Sequence, residues 1–165
     1  MIAVAARSLN IASPDCAEQF FAGRAARCVD LHHAGSLPEL RQVLERYRAD
    51  VTSPMTLDLI GHSTRHHHLL RLGSTPIDML DRGVARFFHA LAQDNLLECR
   101  DVVAVRLLGC ETAVTDSGRR TLRMLARALR LPVYGTLVPL TKSHSTADGF
   151  DPTFAHILVE ASALS

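Results

Sequence analysis

Two residues in this chain have both the side chains and the surroundings for covalent chemistry, His62 and Cys110. Each directly follows a glycine, as Gly61-His62 and Gly109-Cys110, and each glycine closes an apolar run, "LDLI" and "VRLL". A thiol with an imidazole beside it is the minimum for acyl transfer: sulfur attacks a carbonyl and the histidine moves the protons. That chemistry needs the two groups brought to one place, although 48 residues separate them.

The intervening pattern supplies the means. "MTLDLIG" (55 to 61) and "DVVAVRLLGC" (101 to 110) read as strands three and four, apolar almost throughout, as strands covered on both faces are. "IAVAA" (2 to 6) reads as a first strand, "ARCVDLHHA" (26 to 34) as a second and "PVYGTLVPL" as a fifth. Amphipathic stretches alternate with them. A helix over residues 14 to 22 precedes the second strand, and Ser36 with Glu39 three residues on marks the start of another. "HLLRLGSTPID" forms a short hairpin ahead of a helix started by Thr75, Pro76 and Asp78. A helix from about Ser117 to Leu131 follows strand four, and Pro152 opens a last one with Phe154, Ile157, Leu158 and Ala161 inward. The expectation is a single domain over residues 1–165, a doubly wound α/β three-layer sandwich on a mostly parallel five-stranded sheet. In such sheets reactive groups gather at the carboxyl ends of the strands, where His62 and Cys110 both fall.

"LDLIGHS" followed by "VRLLGCETA" resembles the histidine and cysteine strands of the caspase-like fold, shared by caspases, gingipains, separase, CHAT domains and the cysteine protease domains of large clostridial toxins. "GCETA" is similar to the cysteine box of CHAT domains, and "LIGH" with "LLGC" to those of the toxin domains. The separation agrees with a histidine about 50 residues upstream of the cysteine. The resemblance covers roughly residues 55 to 145. It implies a cysteine peptidase with Cys110 as nucleophile and His62 as general acid and base. The backbone N–H groups of Ser63 and Cys110 would hold the oxyanion. It also makes Glu111, Lys142, Ser143 and His144 candidate substrate contacts, the last three within the polar stretch "LTKSHSTADGFD" (140 to 151). Family members usually carry glycine where Ser63 stands, so a positive φ there would strain the serine. With no sixth strand expected, a homodimer or a larger protein partner would complete the groove for a peptide or protein substrate.

Other readings compete for the same residues. One is a catalytically silent caspase-like module that binds a partner. Another is a serine α/β hydrolase, because "GHSTR" begins like the nucleophile elbow G-x-S-x-G; Arg65, however, takes the place of the closing glycine and no helix pattern follows. His66, His67 and His68, with His62, His32 and His33, invite a metal. Consecutive histidines on an extended segment point to opposite sides, and no cysteine or carboxylate follows at a zinc-site spacing, so neither metal nor cofactor is expected.

Composition bounds the rest. The chain has 165 residues, 47% hydrophobic and 21% charged, with a formal net charge of +1. Such a charge sets up no whole-molecule field for nucleic acid or anionic membranes. The arginines between 117 and 131 lack aromatic interleaving and read as a solvated helix face, so no nucleic-acid partner is expected. Without a basic leader before the apolar residues of "MIAVAARSLN", the expected location is the cytoplasm. Cys16, Cys28, Cys99 and Cys110 show no paired spacing and read as free thiols.

Overall fold

The computed structural model describes residues 7–15, 31–48, 53–146 and 148–164. The strand expected at 2 to 6, the helix at 14 to 22 from its third residue on, and Cys16 and Cys28 lie outside them. Strands β1 (Arg7–Ala12), β2 (Leu31–His33), β3 (Met55–Ile60), β6 (Val102–Leu108), β7 (Val133–Thr136) and β10 (Leu158–Glu160) form one sheet in the order β10-β7-β6-β3-β1-β2. All neighbours run parallel except β10 against β7. The architecture is α/β with a mostly parallel, six-stranded sheet. Small hairpins β4 (Arg71–Leu72) with β5 (Thr75–Pro76), and β8 (Ser145–Thr146) with β9 (Gly149–Phe150), stand apart from it.

Three α-helices are described, and all feed one apolar core. In α1 (Leu37–Arg46), the Ser36 hydroxyl accepts from the Glu39 N–H at 3.3 Å while the Glu39 carboxylate accepts from Gly35 N–H at 3.1 Å. This is the reciprocal capping that the sequence spacing implies. Helix α2 (Arg82–Gln93) is capped by Asp81, and α3 (Asp116–Leu129) by Thr115. Leu40 and Leu44, then Val84, Phe88 and Leu91, then Leu122, Leu125 and Leu129 pack on Leu9, Ile11, Leu57, Leu59, Val105, Leu107 and Val133 of the sheet. Alternation along each strand sends Ala12, Ile60 and Leu108 to the other face, where Phe150 and Ile157 cover them.

That second face carries a polar layer. Asp58 is fully buried and pairs across the strands with Arg106, at 2.7 and 2.6 Å through the guanidinium Nε and Nη2. Ser8 accepts from the same guanidinium at 3.1 Å, and the Phe150 ring lies beneath it at 5.2 Å. Burial alone would push the Arg106 pKa down; the Asp58 carboxylate reverses this and holds it above its ordinary value.

Three expectations need correction. Among the described residues the sheet has six strands, not five, and one of them is "RSLNIA", whose Ser8 and Asn10 belong to the polar layer. Thr75 and Pro76 pair in the hairpin with Arg71 and Leu72, so α2 begins only at Arg82, after the Asp81 cap. The last helix is a 3-10 segment, Pro152–Ile157, that gives way to β10. Its Phe154, Ile157 and Leu158 have helical spacing, but pairing with β7 satisfies backbone groups that an open edge would expose. Among the described residues no helix is long and apolar enough to cross a membrane.

Candidate active site

The β3–β6 register ends with Ile60 opposite Leu108, so Gly61-His62 and Gly109-Cys110 leave adjacent parallel strands side by side. Neighbouring strands lie about 4.8 Å apart. Chain order reverses here as well: β1 connects outward to β2, whereas β3, β6 and β7 follow in the opposite direction. His62 therefore stands at the carboxyl edge, at the switch point between β1 and β3, with Cys110 one strand away.

The two glycines have a steric cause. The segment after His62 folds back over both strand ends: Arg71 N–H donates to His62 O at 2.8 Å, and Thr64 N–H to Leu69 O at 2.7 Å. A Cβ on Gly61 would come 2.2 Å from the Arg71 carbonyl oxygen. One on Gly109 would meet the Ser63 hydroxyl at 2.7 Å and Leu70 Cδ1 at 2.9 Å. At Gly61 the backbone leaves no room for a side chain, whereas at Gly109 a larger residue would force the Ser63 and Leu70 side chains to move.

Cys110 is half-buried and tightly framed. The Ser63 hydroxyl donates to its carbonyl oxygen at 2.8 Å, and the Leu140 N–H points at its sulfur at 3.4 Å. Behind it, buried Thr112 and Thr136 lace the turn. Thr112 Oγ1 donates to Leu107 O at 3.0 Å and accepts from Thr136 N–H at 2.9 Å, while the Thr136 hydroxyl donates to Gly109 O. Among the described residues, neither the Ser63 nor the Cys110 backbone N–H finds an acceptor. Ser63 is not among the residues with positive φ, so the backbone there carries no strain.

Glu111 follows at φ 55°, a left-handed conformation, with its carboxylate 3.7 Å from His68 Nδ1, which is itself at φ 51°. Lys142, Ser143 and His144 form a 3-10 turn starting two residues after Leu140. There His144 Nδ1 accepts from Thr141 N–H at 3.0 Å, and its ring packs edge-on to Phe154 with centroids 4.7 Å apart. The stretch thus reaches the Cys110 sulfur through Leu140.

The sequence reading missed Asp15. It lies three residues beyond β1, bonded to the Ser13 hydroxyl and 3.2 Å from an Arg71 guanidinium nitrogen. Partial burial pushes its pKa up, but Ser13, Arg71 and the nearby His62 together outweigh this and hold the carboxyl below its ordinary range. The available signal was positional: an acid just past the first strand, at the same sheet edge.

The segment after Ser63 forms a turn and a hairpin in place of the helix a nucleophile elbow requires. Of the three consecutive histidines, His66 is exposed, His67 Nδ1 sits 3.3 Å from the Ser117 hydroxyl, and His68 faces Glu111. Among the described residues no group of three or more His, Cys, Asp or Glu is arranged to hold a metal ion.

No protein-family model and no curated protein matches this chain.

Proposed function

We propose that this chain is a caspase-like cysteine peptidase acting on a peptide or protein substrate in the cytoplasm, without metal or cofactor. The observation that carries the reading is the parallel register that releases His62 and Cys110 from adjacent strands at one edge. His62 takes the Cys110 thiol proton as Sγ forms a bond to the scissile carbonyl carbon, and the carbonyl oxygen takes the negative charge against the open N–H groups of Ser63 and Cys110. Each such donor is worth about 3–4 kcal/mol in the transition state. The C–N bond then breaks as protonated His62 gives its proton to the departing amine. Water attacks the resulting thioester, His62 takes the proton, and Cys110 is released. Glu111 and the 142–144 turn flank the acyl group as substrate contacts.

The test is hydrolysis of a fluorogenic tetrapeptide library by purified wild type, Cys110→Ala, His62→Ala and Ser63→Ala. Cleavage should vanish in Cys110→Ala and fall about 10²–10⁴-fold in His62→Ala. Ser63→Ala, which keeps its backbone N–H, should retain most activity. Cleavage that survives Cys110→Ala but not Ser63→Ala would assign a serine hydrolase. Inertness of the wild type toward every peptide would leave an α/β interaction module.

A further inference from the structure

The charge on the three helices is distributed unevenly. On α1, Arg41 pairs with Asp94 and, at 3.4 Å, with Glu45. Helix α2 carries Arg82 and Arg86 with no acidic residue between Arg82 and Gln93. Helix α3 carries Arg120, Arg123 and Arg127 among others, with only Asp116 to oppose them, in its first turn. Helical spacing places Arg82 and Arg86 opposite the buried Val84–Phe88–Leu91 stripe, and Arg120, Arg123 and Arg127 opposite the buried Leu122–Leu125–Leu129 stripe. The two helices pack together, with Arg82, Arg86 and Arg127 exposed and Arg120 and Arg123 half-buried on the sides away from the core.

None of the five has a carboxylate within salt-bridge distance among the described residues. Arg120 Nε and Arg123 Nη1 are shut off from solvent with no acceptor there. Like charges gathered on one helix pair are unfavourable alone and favourable around an anion. The whole chain carries only +1, so this face is a local concentration of positive charge.

A second feature selects the kind of anion. Leu80 and Val114, 56% and 45% exposed, are two of the most exposed large hydrophobic residues described. Each directly precedes the N-cap of one of these two helices, Asp81 and Thr115. A nucleic-acid backbone offers nothing to an aliphatic side chain, and neither Leu80 nor Val114 is an aromatic on which a base could stack. A peptide segment that mixes carboxylates with aliphatic side chains satisfies both the arginines and the apolar pair.

We propose that the outer face of α2 and α3 is a docking surface for an acidic, leucine-bearing segment of a protein partner. It operates independently of the chemistry at Cys110. The test is fluorescence anisotropy of the full chain with a fluorescein-labelled peptide of alternating glutamate and leucine, a lysine and leucine counterpart, and a labelled DNA duplex. The acidic peptide should bind and weaken as salt rises, since exposed ion pairs are screened. Arg120→Glu/Arg123→Glu/Arg127→Glu should weaken it about tenfold or more, the fold-change expected from losing several charge-assisted contacts. Leu80→Ser/Val114→Ser should weaken it by about fivefold. Cys110→Ala should bind like wild type whether or not the chain is a peptidase. Absence of acidic-peptide binding, binding unchanged by charge reversal in a variant whose circular dichroism matches wild type, or tighter binding of the duplex would each overturn the proposal.

Discussion

Strand β6 has a cysteine at each end, and the two ends are built differently. At the amino end, exposed Cys99 sits in a 3-10 turn beside a cavity of about 640 Å³ whose lining includes Leu97, Glu98, Val102 and Leu131. At the carboxyl end Cys110 is half-buried, with an amide on its sulfur, a hydroxyl on its carbonyl and a threonine pair behind it. The amino end offers volume without convergent chemistry. At the carboxyl end the register sets Gly61-His62 and Gly109-Cys110 side by side, with the Asp15 carboxylate near His62 and the Ser63 and Cys110 N–H groups unbonded among the described residues. On the proposed function, concavity by itself does not mark the site, and hydrogen bonding around the thiol is the more informative sign.

The carboxyl end depends on β3 and β6 holding their register, and the buried Asp58–Arg106 pair crosses that seam. Asp58→Ala leaves the guanidinium buried and unpaired, and should cost about 3–5 kcal/mol in urea unfolding. A loss below about 1 kcal/mol would place the register's support elsewhere. Thr112→Val strips partners from Leu107 O and Thr136 N–H. It should cost about 1–3 kcal/mol and slow alkylation of Cys110 while leaving Cys99 unaffected.

Asp15→Asn should cost less than about 1 kcal/mol, since the carboxylate is partly exposed and screened. Its sign with pH is definite. The folded pKa lies below the unfolded value of about 3.9, so the stabilisation is complete above that value and is lost as pH falls through the lower, folded one. Wild type and Asp15→Asn should therefore converge in thermal melts on acidification below pH about 4. At the amino end, Ala128→Leu narrows the cavity. It should move stability by no more than about 0.5 kcal/mol and leave Cys110 alkylation untouched. A change in Cys110 reactivity would show that the two ends are coupled.

What could be read in the sequence follows the same division. β3 and β6 are covered on both faces and mostly apolar, Asp58 and Arg106 apart, so their runs, their ends and the glycines before His62 and Cys110 were all visible. The Ser36 cap and the apolar stripe of α3 were equally plain, because local chemistry sets them. β1 was obscured because Ser8 and Asn10 face a polar layer completed by Asp58 and Arg106, residues far along the chain. β10 is three residues long and exists through its pairing with β7, a tertiary contact that overrides the helical spacing of Phe154, Ile157 and Leu158. Asp15 went unnoticed because its neighbours, Arg71 and His62, meet it only once β1 and β3 are side by side.

The central claim is that His62 and the Cys110 thiol share one site at the sheet edge. Timed iodoacetamide labelling of the native chain, read by peptide mass spectrometry in wild type and His62→Ala, tests it most directly. Cys110 should label faster than the more exposed Cys99 in wild type and lose that advantage in His62→Ala. Labelling of Cys110 no faster than Cys99, or equally fast without the imidazole, would contradict it.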